Sequence, residues 1–145
     1  MSDFFNKLDQ TINEQKQSQQ NVKSRLEEIK SFFQVQISEL EPRLNDYVEQ
    51  CNKRGINALC SVNDYSFSFT LKNQNGFFHT ITFHQDFNSE RFQFTKEFMN
   101  DDHKKYTSTD GISYVEDSWT QELAIAKVEK TIEDFVFYAK RHGGI

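Results

Sequence analysis

The chain contains one proline, five glycines and two cysteines among its 145 residues, and it has no long hydrophobic run. Each shortage removes a class of protein. Two cysteines cannot build the disulfide framework of a small secreted domain. Cys51 and Cys60 lie in different predicted elements and make no compact metal motif, so they read as free thiols in a reducing compartment. No stretch has the length and apolarity of a membrane span. Asp3, Lys7 and Asp9 interrupt the amino terminus, which does not read as a signal peptide. Gly76 and Gly111 belong to separate turns and Gly143-Gly144 to a tail, so no glycine-rich loop is available to cradle a phosphate. A cytoplasmic protein without a membrane span is the expectation.

Positive charge is also in short supply, with 17 basic against 22 acidic residues and a formal net charge of -5. This balance disfavours a phosphate-backbone partner, and nucleic acid is not expected. Hydrophobic residues amount to only 36%, yet 15 of them are phenylalanines, enough large side chains to fill a core.

Proline's scarcity leaves one long helical pattern from about Ser2 to Lys53, roughly 75 Å at the standard rise. Ser2 or Asp3 can cap it. Phe5, Leu8, Ile12, Gln15, Gln19, Val22, Leu26, Ile29 and Phe33 follow alternating three- and four-residue steps, which is heptad spacing for nearly four repeats. After Phe33 a stutter shifts the register to Ile37, Leu40, Leu44, Tyr47 and Cys51. Gln15 and Gln19 weaken the seam, since buried amides need partners, but the Asn13–Asn21 segment keeps helix propensity. A kink or break is expected near Pro42, where a proline removes a helical hydrogen bond. Glu39 and Arg43 are spaced for a helical charge pair, and Gly55 ends the pattern.

Beyond Gly55 the period becomes two. Tyr65, Phe67, Phe69 and Leu71 alternate with small polar residues, and Leu59, Ser61 and Asn63 fall in the same phase before them. Asn73-Gln74-Asn75-Gly76 is a turn signal. Phe77, His79, Ile81 and Phe83 form the inward set of a second strand, and Phe92, Phe94, Lys96 and Phe98 that of a third. A short strand over 104–108, a turn at Asp110-Gly111 and a returning strand through Ile112 and Tyr114 complete about five. Ser118 with Gln121 suggests a capping box for a last helix. Its expected buried stripe is Trp119, Leu123, Ala126, Ile132, Phe135, Val136 and Ala139, with Val128 nearby.

The fold expectation is therefore α+β: a long amino-terminal helix, an antiparallel sheet of about five strands and a carboxyl-terminal helix on one sheet face. Residues 1–40 read as an extended association segment and residues 41–145 as the two-layer domain.

No catalytic constellation stands out. His79 and His84 face opposite sides of one strand, and His84, Asp86, Asp101, Asp102 and His103 match no coordination spacing. No cofactor, metal or enzymatic activity is expected. The seam supports protein binding or assembly, as an adaptor or chaperone, through a homodimer or other homo-oligomer or through a protein client or target. Leu8, Ile12, Val22, Leu26, Ile29 and Phe33 are the expected interface. Alternatives are an acidic inhibitor or immunity-type protein covering a basic partner, or a small-ligand or enzymatic domain whose cavity is lined by Tyr65, Phe67, Phe92, Trp119 and Phe135.

Overall fold

A computed structural model describes residues 2–86 and 90–145, with the Ser2 side chain, and hence its capping role, outside what is described. The elements run in the order α1 (Ser2–Lys53), β1 (Ala58–Val62), β2 (Phe67–Lys72), β3 (Phe78–Gln85), β4 (Phe92–Met99), β5 (Lys105–Thr109) and α2 (Gln121–Ala139), followed by a 3-10 turn at Lys140–His142. The five strands form one antiparallel meander in chain order, and α1 and α2 pack on one of its faces. The long helix, five-stranded antiparallel sheet and packed carboxyl-terminal helix agree with the sequence expectation.

The α1 helix is unbroken for 52 residues, about 78 Å. It continues through Pro42, so the expected break is absent. The reason lies in which side the proline occupies. Pro42 and Ser38, whose carbonyl loses its donor, are both exposed, so water can serve the freed oxygen. Ile37, Leu40 and Leu44 bracket the proline and are completely buried, which pins the helix on both sides. Arg43 does not pair with Glu39. It reaches Glu122 at the start of α2 at 2.8 and 3.2 Å, while Glu39 accepts from Gln121 Nε2 at 2.9 Å. Tyr47 Oη donates to Glu129 at 3.1 Å, so the second half of α1 lies beside α2.

The first strand differs from the sequence reading. Residues 58–62 form a strand of their own, with Ala58, Cys60 and Val62 toward the helices and Leu59 turned out at 66% exposure. The expected returning strand after Gly111 reduces to one bridge, Tyr114 to Phe92. In β2, β3 and β4 the inward phase is as expected: Phe67, Phe69, Leu71, Ile81, Phe83, Phe92 and Phe94 are buried. The β2–β3 turn closes with Gly76 N–H on the Asn73 carbonyl, Gly76 holding φ +86°, where a glycine is unstrained.

The face of α2 is rotated from the expected one. Ala124, Ile125, Val128, Thr131, Phe135 and Ala139 are buried, whereas Ala126 and Val136 are exposed. Thr131 can occupy a core position because its hydroxyl donates to the Lys127 carbonyl at 2.8 Å. Thr120, not Ser118, caps the helix, accepting from Leu123 N–H at 3.0 Å, while Ser118 Oγ accepts from Val115 N–H in the preceding turn. Trp119 is buried against Phe33 and Phe83.

Candidate functional site

Accessible surface and chemistry meet at the amino-terminal half of α1 and at a cleft between α2 and the sheet.

From Asp3 to Arg25 every α1 residue is exposed, a projecting length of about 35 Å. The six expected interface residues divide along the helix. Leu8, Ile12 and Val22 are 42%, 39% and 64% exposed. Leu26 and Ile29 are partly buried and pack against the core. Phe33 is completely buried, its ring 4.9 Å from Phe83, 4.7 Å from Phe92 and 5.6 Å from Trp119. Phe33 is thus part of the core and cannot serve an outside partner. The anchored part of α1 begins before residue 40, because Ile37 and Leu40 are equally buried. Arg25 marks the departure point with a 2.7 Å ion pair to Glu116. Phe4 and Phe5, 63% and 57% exposed, lie at the far end.

The seam is one stripe with two fates. Its Leu26–Phe33 part is covered by the chain's own sheet and Trp119 side, and its Phe5–Val22 part has no cover among the described residues. Heptad positions drift by about 20° per repeat on a straight helix, so Phe5, four repeats from Phe33, sits roughly 80° round. A supercoil that keeps the stripe in line removes this drift.

The second place is a cleft of about 360 Å³ lined by His79 of β3, Lys96, Phe98 and Met99 of β4, the turn residues Asn100 and Asp101, and Asp134 and Tyr138 of α2. Lys96 is inward in β4, as the alternation implies, and its Nζ contacts Asp134 at 2.6 Å. Lys130 adds a second cation at 3.1 Å. Burial works against the Asp134 charge, but the two ammonium groups outweigh it and hold the carboxyl below its ordinary range. Asp101 pairs with Arg141 at 2.9 Å. His142 Nε2 lies 3.4 Å from the other Asp101 oxygen, at a geometry that forms no hydrogen bond.

His79 is the unusual member. It is 3% exposed and surrounded by Phe77, Phe98, Phe135 and Tyr138. Burial first, and then the Lys96 charge, push its pKa down to about 4, so the imidazole is neutral near pH 7. Neither ring nitrogen has a hydrogen-bond partner among the described residues, and Nδ1 is fully enclosed. A base this weak is poorly matched to proton transfer at neutral pH but suits hydrogen bonding.

The cavity expected around Tyr65, Phe67, Phe92, Trp119 and Phe135 is filled: all but Tyr65 are buried core. His84 lies on the outer sheet face, where Nε2 is 2.9 Å from Thr95 Oγ1. No group of three or more His, Cys, Asp or Glu able to hold a metal occurs among the described residues. Burial raises both thiols, Cys60 to about 11, which suppresses nucleophilic thiolate. No helix among the described residues is long and apolar enough to cross a membrane. Comparison with known proteins finds no matching family, no matching curated protein and no matching solved structure.

Proposed function

We propose that this protein is an assembly protein whose projecting α1 segment packs against the same segment of a second copy, holding two α+β bodies together. One observation carries the reading: the apolar stripe of α1 continues to Phe5, about 30 Å beyond the point where the chain's own core stops covering it. Phe5, Leu8, Ile12 and Val22 leave apolar surface in water that a second helix would remove from it.

A second copy fits the pattern better than a short groove in another protein. Groove recognition needs anchors at i, i+3/i+4 and i+7. Here heptad spacing persists through the whole exposed seam from Phe5 to Val22, about two and a half repeats, as it must for two helices that share a period. Gln15 and Gln19 occupy seam positions and are exposed in the single chain. Each side chain has both donor and acceptor, so in a paired helix the same amide from the second copy can satisfy it. Polar seam positions of this kind set register at some cost in strength.

Sedimentation velocity on the full chain and on the double variant Leu8→Glu/Ile12→Glu tests the reading. The natural chain should associate more strongly as concentration rises through the micromolar range. The variant should sediment as a monomer and still unfold cooperatively, because neither residue belongs to the core. Equal association by both proteins would refute the seam as the contact.

A further inference from the structure

Helix-mediated assembly leaves the cleft beside α2 without a role, yet its walls are unusually ordered in chemistry. His79 and Phe98 are directly paired across β3 and β4. Their rings lie 5.6 Å apart at 32°, and Tyr138 lies nearly parallel to His79, at 13° and 6.4 Å. One step along both walls, Lys96 and Asp134 close their ion pair.

The charges in this cleft are already answered. Lys96 meets Asp134, Asp101 meets Arg141, and the second cation on Asp134, Lys130, is largely out in solvent and does not line the cleft. A charged ligand would lose hydration without finding an unpaired countercharge. The lining includes the rings of His79, Phe98 and Tyr138, which favour a flat ring in offset or edge contact. The principal unanswered polar group is the His79 imidazole, which is neutral and can present either a donor or an acceptor depending on tautomer. A phenylalanine in its place would pack among the same rings without leaving the enclosed Nδ1 unpaired, so the imidazole is a burden to the fold alone. A volume of about 360 Å³ lies at the small end of the range for sites that take small molecules.

We propose that this cleft binds a small uncharged heteroaromatic molecule of one or two fused rings, packed against Tyr138 and Phe98 and hydrogen-bonded to Nε2 of His79, the ring nitrogen that is not enclosed. Occupancy gives Nε2 a partner that the described residues do not supply, while Nδ1 stays enclosed.

The test is an amide NMR titration of the isotope-labelled full chain with four probes: indole as a neutral donor, quinoline as a neutral acceptor, and benzoate and benzylammonium as charged rings. Saturable shifts centred on His79, Phe98 and Tyr138 are expected with at least one neutral probe. The charged rings should bind at least tenfold more weakly. Affinity should also fall at least tenfold in His79→Phe and in Tyr138→Ala. Tyr138 is 39% exposed, so its truncation spares the core and decides the matter if His79→Phe does not fold. Absence of saturable shifts with both neutral probes overturns the proposal, as does charged-ring binding of equal strength. Unchanged affinity in a folded His79→Phe or in Tyr138→Ala overturns it as well.

Discussion

Acidification should begin to destabilise this protein before the carboxylates titrate, and His79 sets the size of that first loss. Its folded pKa of about 4 lies below the ordinary 6.5 because burial and the Lys96 charge oppose the imidazolium, with Asp134 offsetting part of this and His142 adding to it. Between those values the unfolded chain binds a proton that the folded chain refuses, so stability is complete above about pH 6.5 and falls as pH drops toward 4. At about pH 5 the unfolded imidazole is almost fully protonated and the folded one mostly neutral. The difference costs about 2 kcal/mol relative to about pH 7.5, rising to about 3 kcal/mol once pH falls below 4. The carboxylates held low by partners, Asp110, Glu116, Glu122 and Asp134, lose their contributions only as pH falls below about 5, so they leave this window largely to His79. Urea unfolding at half-unit steps from about pH 7.5 to 5 measures the slope, and His79→Phe supplies the reference. The natural chain should lose about 2 kcal/mol more than the variant across this interval. Parallel curves for the two proteins would refute the neutral buried imidazole.

Other perturbations separate the core from its extension. Phe33→Ala should cost about 3–5 kcal/mol in denaturant unfolding, since the ring is wholly buried among Phe83, Phe92 and Trp119; a loss below about 1 kcal/mol would contradict its place in the core. Thr120→Ala should lower stability by about 1 kcal/mol through loss of the α2 cap, measured by thermal unfolding. Cys51 and Cys60 should react slowly with a thiol reagent at neutral pH in the folded chain and rapidly once it is unfolded, because burial raises both thiols.

Much of the architecture is legible in the sequence because it rests on period. Phe67, Phe69 and Leu71 can face a core together only in a strand, and Asn73–Gly76 supplies the turn that returns them. Reading by residue size fails where the buried residue is small. In β1 the inward positions are Ala58, Cys60 and Val62, while the larger Leu59 points out, so hydrophobicity alone favours the wrong phase. Thr131 misleads in the same way in α2, because a hydroxyl bonded to its own helix counts as apolar in the core. Pro42 is tolerated because it sits on the wet side of α1, and that side is fixed only by which neighbours the sheet covers.

The candidate sites differ in the same respect. The seam is local and readable from spacing, but spacing does not say where the chain's own core ends, so Phe33 is grouped with Leu8 until burial separates them. The cleft joins residue 79 to residues 96–101 and 134–138, and its chemistry depends on the Lys96–Asp134 contact across 38 positions. No local motif signals that meeting. An inward lysine in β4 was the one available sign, since a charge on the core face requires a partner from another element.

Whether α1 is an assembly element can be read most directly from the molar mass of the unmodified full chain, followed by light scattering through a concentration series. Self-association through the projecting seam requires the mass to rise from 17.2 kDa toward twice that value as the protein is concentrated. A mass that stays at 17.2 kDa throughout the micromolar range would contradict it.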